Sequence, residues 1–234
     1  DREQSLIHLM RINLLKRMES SIHSFGQTVE ALLDTVKNLL NVIEQHQVSE
    51  IEALSIEDID LDAPELESLL IGNKIKVLVQ DMDLVLWKQD LQEDLYQLQH
   101  LLADSNLIDA SRDAKLQELK TVIQNKVNNP INDGNKKLII FTAFADTANY
   151  LYQHLANWAH HELGIHSALV TGSGTNKCTL KGIGSDLGAI LTNFSPISKE
   201  RSKIDESAST EIDLLIATDC ISEGQNLQDC DALI

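Results

Sequence analysis

The 234-residue sequence predicts an α/β chain in two parts, a helical extension over residues 1–130 and an open parallel sheet covered by helices over residues 131–234. Three observations predict it. Apolar residues recur every three or four positions through the first part, the helical period. The loop Asn128-Asn129-Pro130, with Gly134 behind it, then interrupts that rhythm. Beyond the loop, short apolar runs alternate with helical spacing. Such alternation implies parallel strands joined by crossovers, and it directs attention to the residues just past the strands' carboxyl ends, where sheets of this kind hold ligands.

In the extension, the stripe Ile7, Met10, Leu14, Met18, Ile22, Phe25, Val29, Leu32, Val36, Leu39, Ile43 predicts either one long helix or two stacked helices broken at Gly26. A single helix over that stripe would reach roughly 55 Å at about 1.5 Å per residue. Residues 47–64 read as an acidic connector ending at Pro64, and Ile75, Val77 and Val79 alternate as a short strand does. Helical spacing resumes at Leu84, Trp87, Leu91, Leu95, Leu98 and Leu102, and again at Leu116, Leu119, Ile123 and Val127. In the second part the expected strands are Leu138 to Thr142, Ser167 to Thr171, Asp213 to Thr218, and one beginning at Ala232-Leu233-Ile234. A helix through Ala148, Leu151, Leu155 and Trp158, closed by Gly164, joins the first two. The loops to inspect are therefore Thr142 to Phe144, Thr171 to Ser173 and Thr218 to Gly224.

Charge is distributed unevenly. The formal net charge is −17, and the stretch Val42 to Leu70 holds nine acids without one Lys or Arg, a segment that repels a phosphate backbone. Lys177, Lys181, Lys199, Arg201 and Lys203 face only Asp186 and Glu200 in their stretch, so nucleic-acid contact is expected there; ordinary solvated surface carries such runs too. No apolar run approaches the roughly 18 residues that cross a bilayer, so no membrane partner is expected. Cys178, Cys220 and Cys230 lack C-x-x-C spacing, which argues against a zinc site or a disulfide framework and favours a reducing, cytoplasmic setting. The chain reads as a piece of something longer, with Asp1 at its start and the run Asp231 to Ile234 at its end.

Several segments imitate catalytic motifs and fail on spacing. Gly172-Ser173-Gly174-Thr175-Asn176-Lys177 lacks the Gly that a Walker A loop places before its Lys, and Gly182, Gly184 and Gly188 are one residue too far apart for a dinucleotide fingerprint. His161 and His166 stand five apart, not four, so they miss the shared helix face of H-E-x-x-H. No G-x-S-x-G elbow occurs. The residues alone supply no complete catalytic set.

Three segments in order resemble the second motor lobe of superfamily-2 helicases, in the bacterial Swi/Snf-like branch. Lys137 to Leu151 (KLIIFTAFADTANYL) resembles motif IV and its helix, Ala168 to Ser173 (ALVTGS) the strand and loop that approach a nucleic-acid strand, and Glu211 to Gln228 (EIDLLIATDCISEGQNLQ) motif V. Ser198 to Arg201 resembles the start of an Arg-bearing helix before motif V. Leu14 to Phe25 (LLKRMESSIHSF) and Asp113 to Leu116 resemble upstream segments of the same branch. The lobe resemblance covers about residues 112–234.

The resemblance implies a RecA-like, P-loop-NTPase-like second lobe. It implies nucleic-acid contacts from Thr142, Gly172, Ser173, Lys199, Arg201, Thr218 and Ser222, with Phe144 as a packing or stacking neighbour. Short hydroxyls, amides and glycines suit close approach to phosphates. Asp219 and Glu223 would hold the motif V loop, and Gly224 and Gln225 would lie nearest ATP in an interlobe cleft. The implied partners are duplex DNA, gripped without sequence preference, and the first helicase lobe of the same polypeptide. ATP and Mg²⁺ would serve the full-length enzyme, with neither expected bound to this chain, because Walker A, Walker B and the Q-x-x-G-R-x-x-R segment are missing from it. By itself the chain is expected to be inert as an ATPase. The alternative is a non-enzymatic interaction module, in which the amphipathic helix and acidic segment dock a protein partner.

Overall fold

The computed structural model of the chain describes residues 2–44, 84–172, 175–204, 209–221 and 224–234. The chain divides into two compact units, Asp1–Ile108 and Asp109–Ile234.

The first unit contains helices α1 (Arg2–Ser20), α2 (Ile22–Glu44) and α3 (Leu84–Asn106). The apolar stripe is broken at Ser21, five residues before the glycine that the sequence offered as the break. Ser21 Oγ accepts the Ser24 amide at 3.0 Å and caps the new helix, which satisfies one of its otherwise unpaired N–H groups. Gly26 lies inside α2, where an added Cβ would stand 3.1 Å from Ser105 Oγ on α3. Its role is therefore close helix approach. The two helices run antiparallel, since Gly26 meets Ser105 at one end and Glu44 meets Lys88 at 2.8 Å at the other. Leu40, Ile43 and Leu91 form the core between them, flanked by Val36, Leu39, Trp87 and Leu95. The acidic connector at 47–64 and the strand expected over 75–79 lie outside the described residues.

The second unit begins earlier than the sequence rhythm suggested. Helical spacing groups α4 (Ala114–Asn128) with the extension, yet its stripe Leu116, Ile123 and Val127 shares one core with Leu138, Ile140, Leu214 and Ile216 of the sheet. A helix buries its apolar face wherever a matching layer exists, and here the matching layer is the sheet. Asp113 caps α4 by accepting the Leu116 amide at 2.9 Å, and it also accepts the Tyr150 hydroxyl at 2.9 Å. Burial and this carboxylate together push the Tyr150 phenol well above its ordinary range.

The sheet has the order β1 (Leu138–Phe141), β4 (Ile212–Ala217), β2 (His166–Val170), β3 (Lys177–Cys178). β1, β4 and β2 are parallel, while β3 is a two-residue antiparallel edge, so the sheet is mixed where an all-parallel one was expected. Ile139 also bridges Leu233 in parallel, starting the strand expected at Ala232 to Ile234. Successive strand residues alternate between faces. Leu138, Ile140, Leu169, Leu214 and Ile216 face α4 and α5 (Ala145–Leu163); Ile139, Ala168, Val170, Leu215 and Ala217 face α6 (Leu187–Phe194). The result is an α/β unit with helices on both faces, which explains the apolar runs Leu138 to Phe141, Ala168 to Val170 and Leu214 to Ala217 within its strands.

Candidate functional site

Because β1, β4 and β2 are parallel and in register, their carboxyl ends finish together: Phe141 pairs with Ala217, and Ala217 with Val170. The next residues continue the ladder by one step. The Thr142 amide donates to the Ala217 carbonyl at 3.0 Å, and the Thr218 amide to the Val170 carbonyl at 3.2 Å. Thr142, Gly172 and Thr218, far apart in sequence, therefore lie along a single rim.

Local geometry fixes each of them. Thr142 Oγ1 accepts the Phe144 amide at 3.4 Å where the chain turns into α5, taking the place of a cap that Phe144 itself has no side chain to supply. Phe144 is 8% exposed. Of its two expected roles, packing fits and stacking on a base does not. A Cβ on Gly172 would stand 3.3 Å from Cys220 Cβ, so the loop after β2 passes tightly over the turn after β4. In that turn Thr218 Oγ1 donates to Cys220 Sγ at 3.4 Å. Asp219 is exposed in the short turn Asp219–Ile221 directly behind Thr218. Gly224 adopts φ 72°, the left-handed region that favours glycine. Ser173, Ser222 and Glu223 lie outside the described residues.

Arg201 is elsewhere. Its guanidinium is buried and donates to Asn193 Oδ1 at 3.1 Å, the Thr210 carbonyl at 2.9 Å and Glu211 Oε1 at 3.3 Å. Glu211 precedes β4, and its other oxygen meets Lys137 Nζ at 2.7 Å just before β1. Arg201 therefore belongs to the amino edge of the sheet, a strand length of roughly 20 Å from the rim. The phosphate contact expected of it is corrected to a buried ion pair: the fork geometry that suits a phosphate is here consumed by three protein acceptors.

Lys199 differs from its neighbour. Its Nζ donates to Gln225 Oε1 at 3.0 Å in an exposed hydrogen bond. This joins a residue expected to touch nucleic acid to one expected near the nucleotide. The contact is braced by Asp229, which the sequence did not single out. Its carboxylate accepts the Ile197 amide at 2.7 Å, the Ser198 amide at 2.9 Å and the Ser198 hydroxyl. Burial pushes that carboxyl up, but the Ser198 and Ile197 donors outweigh it and hold the group below the usual carboxylate range. Asn226 Nδ2 adds a bond to the Ser198 carbonyl at 3.3 Å. The partners are about thirty positions apart, so no local pattern signals them.

Lys177, which pairs with Leu169 near the carboxyl end of β2, donates to Asn149 Oδ1 on α5 at 3.1 Å; Lys199, one turn past Phe194 and two residues before Arg201, lies towards the amino edge instead. Of the pair His161 and His166, the first lies on the last turn of α5 before the left-handed Gly164 and the second on β2. Among the described residues, no three His, Cys, Asp or Glu side chains are grouped to hold a metal ion, and no helix is long and apolar enough to cross a membrane. No known protein-family model and no curated protein matches the chain.

Proposed function

We propose that the chain is the second, RecA-like lobe of a cytoplasmic, bacterial Swi/Snf-like ATP-dependent DNA translocase, with a helical extension ahead of it. The observation that carries the reading is the rim. The three segments that resemble motif IV, the strand-approach loop and motif V sit on neighbouring strands, and Thr142, Gly172 and Thr218 line one edge. A rim of hydroxyls and backbone turns suits a phosphate backbone, which positions a protein without specifying sequence.

The role of the rim is to grip a strand while the nucleotide chemistry belongs to the partner lobe. ATP with its Mg²⁺ would bridge the two lobes, and its binding and hydrolysis would supply the closing and opening of the cleft. The described residues form no metal cluster, and the sequence has no phosphate cradle, so no step of that chemistry is assigned to this chain. Gly224 and Gln225 form its side of the cleft. Thr142 and Thr218 contact strand phosphates at the rim, and Lys199 adds charge to the surface at a distance from it.

The test is binding of a labelled duplex by fluorescence anisotropy. The reading predicts weak, salt-sensitive association that falls in Thr218→Val and in Lys199→Ala. Binding that neither substitution alters counts against it.

One observation favours a second role for the extension. Ile7, Leu15 and Met18 fall on one side of α1 and are 51%, 59% and 46% exposed, the pattern of a helix that docks a protein partner. This role is compatible with the motor.

A further inference from the structure

Helix α1 is built inside out. Of its described side chains only Asn13 and Arg17, one turn apart, are buried, and both are polar. The opposite face carries Ile7, Arg11, Leu15 and Met18, spaced i, i+4, i+8 and i+11, and all four are exposed. An amphipathic helix ordinarily turns such a stripe towards a core. Arg11 stands within it, and no acid pairs with it among the described residues.

Helix α3 carries the complement. Leu86, Asp90, Glu93, Gln97 and Leu101 follow helical spacing along an exposed stripe, apolar at both ends with two carboxylates between. The side of α3 that packs on α2 is a different one, formed by Trp87, Leu91 and Leu95. Both stripes are exposed in the same chain, so they do not meet within it.

We propose that the two stripes form an interface between copies of this chain: α1 of one copy lies along α3 of another, with Arg11 against Asp90 or Glu93 and the apolar residues covering Leu86 and Leu101. The inference rests on the protein-docking role of α1 given above and names its partner. The lengths suit each other, since Ile7 to Met18 spans about 17 Å and Leu86 to Leu101 about 23 Å at 1.5 Å per residue. With Ile7 beside Leu86 and the helices parallel, Arg11 falls opposite Asp90; with Met18 beside Leu86 and the helices antiparallel, it falls opposite Glu93. Pairing α1 with α1 offers Arg11 no acid on the facing stripe.

The experiment is sedimentation equilibrium of the full chain at about 0.15 M salt, where a Debye length of about 8 Å screens the repulsion between two chains of net charge −17. Expected is reversible association of the wild type, weakened about tenfold or more in Arg11→Glu and in Asp90→Lys/Glu93→Lys, and recovered when all three changes are combined. The α3 variant makes the chain less negative, so its weakening is not a matter of overall repulsion. Lys16→Glu repeats the charge change of Arg11→Glu off the stripe and is expected to weaken association by less than about threefold. Every substituted side chain is exposed, and matching far-ultraviolet circular dichroism checks the fold.

A wild-type chain that stays monomeric up to about 100 μM overturns the inference and leaves the α1 face to another protein. Charge reversals that do not recover in combination, or equal weakening by Lys16→Glu, overturn it as well. Association that Leu15→Ser leaves unchanged overturns both the inference and the docking role of α1 on which it rests.

Discussion

Arg201→Ala distinguishes a structural cation from a nucleic-acid contact. The side chain is 9% exposed and serves three acceptors among the described residues, at 3.1, 2.9 and 3.3 Å. Removing one member of a buried ion pair costs about 3–5 kcal/mol. Glu211 is 35% exposed and keeps Lys137 at 2.7 Å, which lowers the expected loss to about 2–3 kcal/mol. With a urea slope of about 1–3 kcal/mol/M, the midpoint of the second unit falls by about 0.7–3 M. Trp158 fluorescence in a Trp87→Phe background reports on that unit alone, as Trp87 packs in the helical one. Arg201→Lys recovers only part of the loss, because one ammonium cannot reach three acceptors spread around a planar fork. Under conditions where the variant is folded, duplex binding changes less than in Lys199→Ala. A variant with the wild-type urea midpoint and lost DNA binding refutes the assignment to the amino edge.

Tyr150→Phe removes the hydroxyl that meets Asp113 at 2.9 Å, and the expected cost is about 1–2 kcal/mol, measured by the same urea assay. Asp229 titrates below its ordinary value of 3.8 in the folded chain, so its contribution to stability is present above that value and disappears as pH falls through the lowered one. The stability gap between wild type and Asp229→Asn is therefore constant well above 3.8 and narrows as pH falls through that value and below it; a gap that stays constant throughout contradicts the carboxylate's role. Gly26→Ala gains about 1 kcal/mol of helix propensity against the Ser105 Oγ contact at 3.1 Å. It is expected to be close to neutral alone in thermal unfolding and stabilising in a Ser105→Ala background.

The second unit was legible because both of its signals are local. A buried parallel strand is a short apolar run, and Leu138-Ile139-Ile140-Phe141 and Leu214-Leu215-Ile216-Ala217 are such runs. Gly164 ended its helix in the left-handed conformation for the reason that made it readable. What failed depended on tertiary partners. The stripe of α4 looks the same whether it packs on helices or on a sheet, so the boundary came out too late. Ser21 outcompeted Gly26 as the break because a hydroxyl cap satisfies an amide, whereas a helical glycine is tolerated where a neighbouring helix comes close. β3 is only two residues long, below what periodicity resolves. At the site, rim placement followed from strand ends, but the side-chain economy did not. Arg201 and Lys199 stand two residues apart in one basic run; one is consumed by Glu211 and the other meets Gln225. Only packing separates them.

The central claim is that the carboxyl-end rim is where DNA lies. Titrating duplex DNA into the isotopically labelled chain and following backbone amide signals tests this directly. The account predicts that Thr142, Gly172 and Thr218 shift together, with a common salt-dependent affinity, while Lys137, Arg201 and Glu211 remain still. Shifts confined to those three amino-edge residues, or to α1 and α3, contradict it.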